Sequence, residues 1–101
     1  MTARLWAFYT EAVATDKTAY RPGARHVVII LAMGEDIATA RALGLQRCEA
    51  NGWMAIDIKR QKEAGNPASD FPEGPLRQAG LDALENGVAL ISYKDEIPPH
   101  S

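Results

Sequence analysis

The sequence has a single cysteine, Cys48, and no long hydrophobic run. One thiol cannot form an intramolecular disulfide or a cysteine-based metal site, and a chain without disulfides is typical of a reducing compartment. The longest apolar run, residues 27–33, is far shorter than the roughly 20 residues that span a bilayer. The first residues also lack the basic and apolar regions of a signal peptide. We therefore expect a cytoplasmic protein with no membrane partner, no metal and no other cofactor.

The chain has no excess of positive charge, since 11 Lys and Arg stand against 13 Asp and Glu. The only basic cluster is residues 59–62. Proteins that follow a phosphate backbone usually carry a visible excess of Lys and Arg on one face. We therefore do not expect nucleic acid as a partner. The aromatic residues are expected to pack in a core or an interface, and these are Trp6, Phe8, Tyr9 and Trp53.

Familiar catalytic and phosphate-binding motifs are missing as well. The sequence has no Walker loop, no Gly-x-Gly-x-x-Gly, no serine nucleophile elbow and no His-Glu-x-x-His. A helix is expected to begin at Glu35-Asp36, where two carboxylates would repel a bound anion. These absences remove the most recognisable enzymes and favour a protein that binds without catalysing.

One pattern is used twice. Residues 51–59 (NGWMAIDIK) and 86–94 (NGVALISYK) share Asn, Gly, Ile and Lys at the same positions, and each follows a helical pattern. Asn-Gly after a helix predicts a C-cap, with Gly52 in the left-handed conformation. The repeat therefore predicts a helix–cap–strand unit that occurs twice.

Four strands are predicted, at residues 5–13, 26–33, 54–59 and 88–93. The first is rich in aromatic residues, although its alanines leave a helix open. The second is apolar at every position after His26, which is typical of a central strand that is covered on both faces.

Two helices are predicted, beginning near Glu35 and Pro75, each with an apolar stripe. Gly44 and Gly80 lie within the stripes and are expected to let the helices approach the sheet closely. The connection at residues 63–74 is rich in Pro and Gly and is expected to be mobile, and the tail at residues 97–101 is expected to be frayed.

These elements predict one α+β domain that spans residues 1–101. We expect a two-layer α/β sandwich with the order β-β-α-β-α-β. Its four-stranded, mostly antiparallel sheet would carry both helices on one face, as a relative of the ferredoxin-like fold.

Two helices on one face would leave the other face of the sheet open. An exposed apolar patch is unusual on a monomer, so we expect a homodimer that forms through this face. The alternative is that the loops at residues 14–25 and 63–74 cover it. The interface residues predicted from the strand alternation are Trp53, Ala55, Asp57, Val88, Leu90 and Ser92.

The function predicted from these features is that of a small non-catalytic binding protein, of an accessory, regulatory or immunity type, with a possible protein partner. The alternative is a small enzyme or ligand sensor with a pocket between the open face and the two loops. Its weak catalytic candidates are His26, Arg41 and Asp57, which would have to converge. Arg41 lies within an apolar stripe, where it can extend to solvent, pair with a carboxylate or bind an anionic ligand. Cys48 is expected to be a buried structural residue.

Overall fold

The computed structural model describes residues 2–98, which fold around a single β-sheet. Four strands form an antiparallel sheet in the order β3-β1-β2-β4, so the predicted α+β class and four-stranded antiparallel sheet are confirmed. A short third helix lies within the connection that was expected to be a loop. In chain order the elements are β1 Arg4–Ala14, β2 Arg25–Gly34, α1 Ile37–Ala50, β3 Trp53–Glu63, α2 Pro67–Asp70, α3 Pro75–Asn86 and β4 Val88–Glu96.

The central strands β1 and β2 run antiparallel with an unbroken register from Arg4 opposite Gly34 to Val13 opposite Arg25. β1 is therefore a strand, and the continuous apolar run of β2 does lie in the interior of the sheet. β3 and β4 form the two edges, and the pairing of each with its neighbour is interrupted by bulges.

The two long helices pack on opposite faces of the sheet. Ala40, Gly44 and Cys48 of α1 are buried over the face that carries Val28 and Ile30. α3 packs instead in a second cluster, where Ala79 and Ala83 meet Leu5 and Leu31. Successive residues of a strand point to opposite faces, so the sheet lies between the helices. The prediction of both helices on one face was therefore wrong, and the ferredoxin-like comparison is not supported.

The Asn-Gly steps end both helices as predicted. Asn51 caps α1, and its side-chain amide donates to the carbonyl of Arg47 at 2.7 Å. Gly87 caps α3 in the left-handed conformation, and its amide donates to the carbonyl of Ala83 at 2.7 Å. Gly52 has the same φ of 96° as Gly87. Each repeat is a helix end joined directly to a strand.

The connection between β1 and β2, residues 15–24, folds over one end of the α1 face. Thr15 donates from its backbone amide and its hydroxyl to the carbonyl of Gly52. Tyr20 places its ring 4.4 Å from that of His26 and 5.8 Å from that of Trp53. We call this segment the strap. It covers part of the face that carries Trp53 and Ser92, as the alternative prediction supposed for the loop at residues 14–25.

The connection between β3 and α3 contains α2, which packs against α3. The Asn66 side chain accepts from the amide of Ala68 at 2.9 Å, and the Asp70 carboxylate accepts from the amide of Asn66 at 2.7 Å. A Cβ at Gly80 would lie 2.8 Å from Pro67, so this glycine permits close approach of α2 rather than of the sheet. Of the tail predicted to be frayed, residues 99–101 lie outside the described residues, and the Ile97 amide donates to the carbonyl of Arg25.

Candidate functional site

The three candidate catalytic residues do not converge. His26 is buried at 1% exposure beneath the strap, whereas Arg41 is half-buried on α1. Asp57 is exposed and lies opposite Glu11 on the other face of the sheet. Of the four best-formed clefts among residues 2–98, none is lined by more than one of the three. The arrangement that an active site built on these residues would need is therefore not present.

His26 has the surroundings of a structural residue. Its Nδ1 lies 2.7 Å from the carbonyl oxygen of Tyr93, which can only accept, so Nδ1 carries the proton. The other ring nitrogen, Nε2, is fully enclosed and has no hydrogen-bond partner among the described residues. The rings of Tyr20 and Trp53 lie against the imidazole at 4.4 and 5.7 Å. A general base must reach a substrate proton, and this ring has no path to one.

A bulge in β4 explains how His26 finds its partner. His26 pairs with Glu96 and Val28 pairs with Ser92, so residues 93–95 of β4 lie opposite the single Val27. Extra residues in one strand re-aim its backbone groups. The bulge turns the Tyr93 carbonyl toward the imidazole. Sequence patterns carried no signal for this contact.

Arg41 and Asp57 each remain near solvent. Arg41 lies in a shallow groove with Ile58 and Lys59 and forms no ion pair with any described residue. Asp57 pairs with Lys59 at 2.9 Å, and both side chains are about half exposed. Arg41 therefore does not pair with Glu11 or Asp57, and its side chain lines a shallow groove that is open to solvent.

The residues predicted for the dimer interface lie mostly on the covered face. Trp53 and Val88 are 5% and 3% exposed in the core beneath α1, and Leu90 packs against the same cluster. Ser92 lies beside Tyr20, with 3.3 Å between their hydroxyl oxygens. Only Ala55 and Asp57 are exposed. The expectation that this set faces outward is corrected: α1 covers the strand face that was assigned to the interface.

The second face of the sheet is covered at only one end. α3 packs there over Leu5, Leu31 and the neighbouring Met33 and Ala89. Beyond this cover, Tyr9 is 40% exposed and Met54 is 49% exposed. We call the uncovered part the open end, and its apolar residues are Tyr9, Val13, Val27 and Met54.

The open end also carries charges of both signs. Glu11 and Asp57 lie opposite each other on β1 and β3, and Arg25 lies opposite Val13 on β2. Hydrogen bonding and attraction to Asp57, followed by attraction to Glu11, raise the pKa of Lys59, and nearby Arg25 opposes the shift. These four charges therefore interact across one surface. Arg25 itself forms no ion pair with any residue from 2 to 98.

Within the described part of the chain, no group of three or more His, Cys, Asp and Glu side chains is arranged to hold a metal ion. None of the helices there is long and apolar enough to cross a membrane. Comparison with protein-family models, curated proteins and solved structures finds no match to this chain.

Proposed function

We propose that the protein is a non-catalytic binding protein that acts as a homodimer through the open end of the sheet. The observation that carries the proposal is the partial cover of the second face. Apart from Glu11 and Arg25, β1 and β2 carry apolar residues on this face, but α3 covers only the end near Leu5 and Leu31. Grouped apolar side chains left in water favour association.

A second copy is the occupant that the charges favour. A symmetric dimer uses the same patch on both chains, so the patch must complement itself. Here the acidic residues lie on β1 and β3, whereas Arg25 lies on β2. A two-fold axis along the strands, between β1 and β2, places the β1 side of one copy over the β2 side of the other. Glu11 of each copy then lies over Val27 of the second copy, two residues along β2 from Arg25, which is close enough for the long arginine side chain to reach it.

An accessory, regulatory or immunity-type role in the cytoplasm is consistent with such a dimer and with the single buried thiol. An enzyme draws no support from the geometry, because His26 is enclosed and Arg41 and Asp57 lie on opposite faces. The two-sided arrangement also removes the basis for placing the chain near the ferredoxin-like fold.

The proposal is tested by the mass of the protein in solution. Sedimentation equilibrium over a range of concentrations should give twice the chain mass of 11.0 kDa. Val27→Glu places a second negative charge directly opposite Glu11 in the open end and should give a single chain. Leu84→Glu is the control for an added negative charge, because Leu84 is an exposed apolar residue of α3 outside the open end. A mass of one chain for the wild type at every concentration contradicts the proposal.

A charge exchange tests the orientation of the two copies. Glu11→Arg and Arg25→Glu should each weaken the dimer, because each brings like charges of the two copies close together. The double variant restores the pairing with reversed sign and should dimerise like the wild type. The contact would be excluded if the double variant lost as much dimer stability as the two single variants together.

A further inference from the structure

A cleft lies on the α3 face, at the border between the covered part of the sheet and the open end. Its volume is about 700 Å³, within the size range of small-molecule sites. Ala7, Ile29 and Leu31 form an apolar floor on β1 and β2, and Phe71 and Leu76 form a wall at the α2–α3 junction. The cleft can therefore accept the apolar body of a small molecule.

The rim of this cleft carries two cations without partners. Arg60 lies opposite Tyr9 and Lys62 lies opposite Ala7, so both belong to the strand positions of this face. Both side chains are exposed, and neither forms an ion pair or a side-chain hydrogen bond with a described residue.

The two acidic residues of the cleft, in contrast, are already engaged. Glu63 pairs with Arg4 at 3.0 Å. The Asp70 carboxylate accepts the amide proton of Asn66 at 2.7 Å. Arg60 and Lys62 are therefore available to a ligand, since Arg4 neutralises Glu63 and Asp70 is bound to the backbone of its own loop rather than to either cation.

We propose that this cleft binds a small amphipathic anion. Its anionic head group lies between Arg60 and Lys62, and its apolar body lies on Ala7, Ile29 and Leu31. The end of the described chain does not compete for the site, because Ile97 and Pro98 line clefts that share no residue with this one. The site goes beyond the proposed dimer. It borders the open end at Tyr9, and all of its lining residues belong to one chain.

Two dyes that share a body and differ in charge test the proposal. 8-Anilinonaphthalene-1-sulfonate carries a sulfonate, whereas N-phenyl-1-naphthylamine has the same aromatic body without it. Fluorescence titration of the full chain should show tighter binding of the sulfonate. Arg60→Gln together with Lys62→Gln should raise the Kd of the sulfonate roughly tenfold, as expected for two partly exposed ionic contacts, and leave the neutral dye unchanged.

Matched variants locate the binding. Arg47→Gln with Lys94→Gln removes two exposed cations elsewhere and should leave both titrations unchanged. Ala7→Phe fills the floor and should abolish the binding of both dyes, with circular dichroism to check the fold. If this variant does not fold, the titration of Arg60→Gln/Lys62→Gln still tests the proposal, because that variant changes only exposed side chains. An equal Kd for the sulfonate in the wild type and in Arg60→Gln/Lys62→Gln overturns the proposal.

The titration also separates this site from the dimer. Val27→Glu, which is expected to be monomeric, should keep the wild-type Kd for the sulfonate because Val27 does not line the cleft. Loss of binding in this variant would overturn a site that is complete within one chain. A monomeric wild type that still binds the sulfonate through Arg60 and Lys62 would contradict only the dimer.

Discussion

Gly44 of α1 lies directly against the side chain of Ile30 on β2. A Cβ built at position 44 would be 2.5 Å from the Ile30 Cγ2 atom, closer than real Cβ atoms approach a neighbour. Ile30 is 1% exposed, so its side chain has little room to move aside. This contact sets the distance between the helix and the α1 face of the sheet.

Gly44→Leu should therefore destabilise the protein by roughly 1–3 kcal/mol through overpacking. Urea unfolding measures the change, and Ala42→Leu on the exposed side of α1 is the control, expected within about 0.5 kcal/mol of the wild type. Gly44→Ala should become less harmful in an Ile30→Ala background, because the clashing methyl group is gone. Equal effects of Gly44→Ala in both backgrounds would exclude the contact as the cause.

The two capping glycines offer a matched pair. Gly52 and Gly87 both have φ of 96°, but a Cβ at Gly52 would lie 2.7 Å from the Lys17 Cβ in the strap, whereas a Cβ at Gly87 would make only an ordinary contact with Leu43 Cδ2 at 3.9 Å. Gly87→Ala should cost about 1–2 kcal/mol for the left-handed conformation alone. Gly52→Ala should cost more because it also displaces the strap. Thermal unfolding of the two variants checks the order, and equal losses would contradict the contact with Lys17.

Cys48 is fully buried, and desolvation, followed by the nearby charge of Glu49, raises the pKa of its thiol to about 11 from a usual 9.0. The native thiol should react slowly with Ellman's reagent at pH 8, and denaturant should make the reaction fast. The pKa of the thiol is higher in the folded chain than in the unfolded chain. The stabilisation linked to the protonated thiol is therefore fully present below pH 9 and is lost as the pH rises toward 11.

Between pH 7 and pH 10 this group should therefore lower the free energy of unfolding by about 1 kcal/mol. Cys48→Ala lacks the titrating group, so its stability should fall less over the same interval. Urea unfolding at both pH values provides the comparison. An identical pH dependence in wild type and variant would contradict the assignment to Cys48.

His26 combines a hydrogen bond to Tyr93 with ring contacts to Tyr20 and Trp53. His26→Ala should cost roughly 2–4 kcal/mol, as for other large buried side chains. His26→Phe keeps the ring contacts and removes the unpaired Nε2, whereas His26→Asn keeps a donor and loses the ring. We expect Phe to be the milder change in urea unfolding. The opposite order would mean that the hydrogen bond to Tyr93 outweighs the packing.

Local features of the fold could be read from the sequence because they depend on residues that are close along the chain. The apolar run after His26 predicts an interior strand, and the Asn-Gly steps predict the ends of α1 and α3. The alternation after Met54 does predict a strand, but it does not reveal the bulges in β3 or the positive φ of 49° at Ala55. A bulge changes which side chains share a face, and it arises from pairing with β1.

The candidate site was harder to predict from the sequence, because it depends on contacts between residues that are distant along the chain. The apolar stripes show that each helix buries one side. Because β2 is apolar on both faces, the sequence allows each helix to pack on either face of the sheet. His26, Arg41 and Asp57 were chosen as isolated polar residues, and only the register of distant strands shows that they lie apart.

Four strands, two principal helices and their glycine caps follow from the amino-acid sequence, because periodicity and capping are local properties. The packing of α1 and α3 on opposite faces emerges only in the folded chain, since it depends on contacts such as Gly44 with Ile30 and Ala83 with the cluster around Leu31. With that choice, the uncovered surface moves from Trp53 and Val88 to Tyr9, Val27 and Met54.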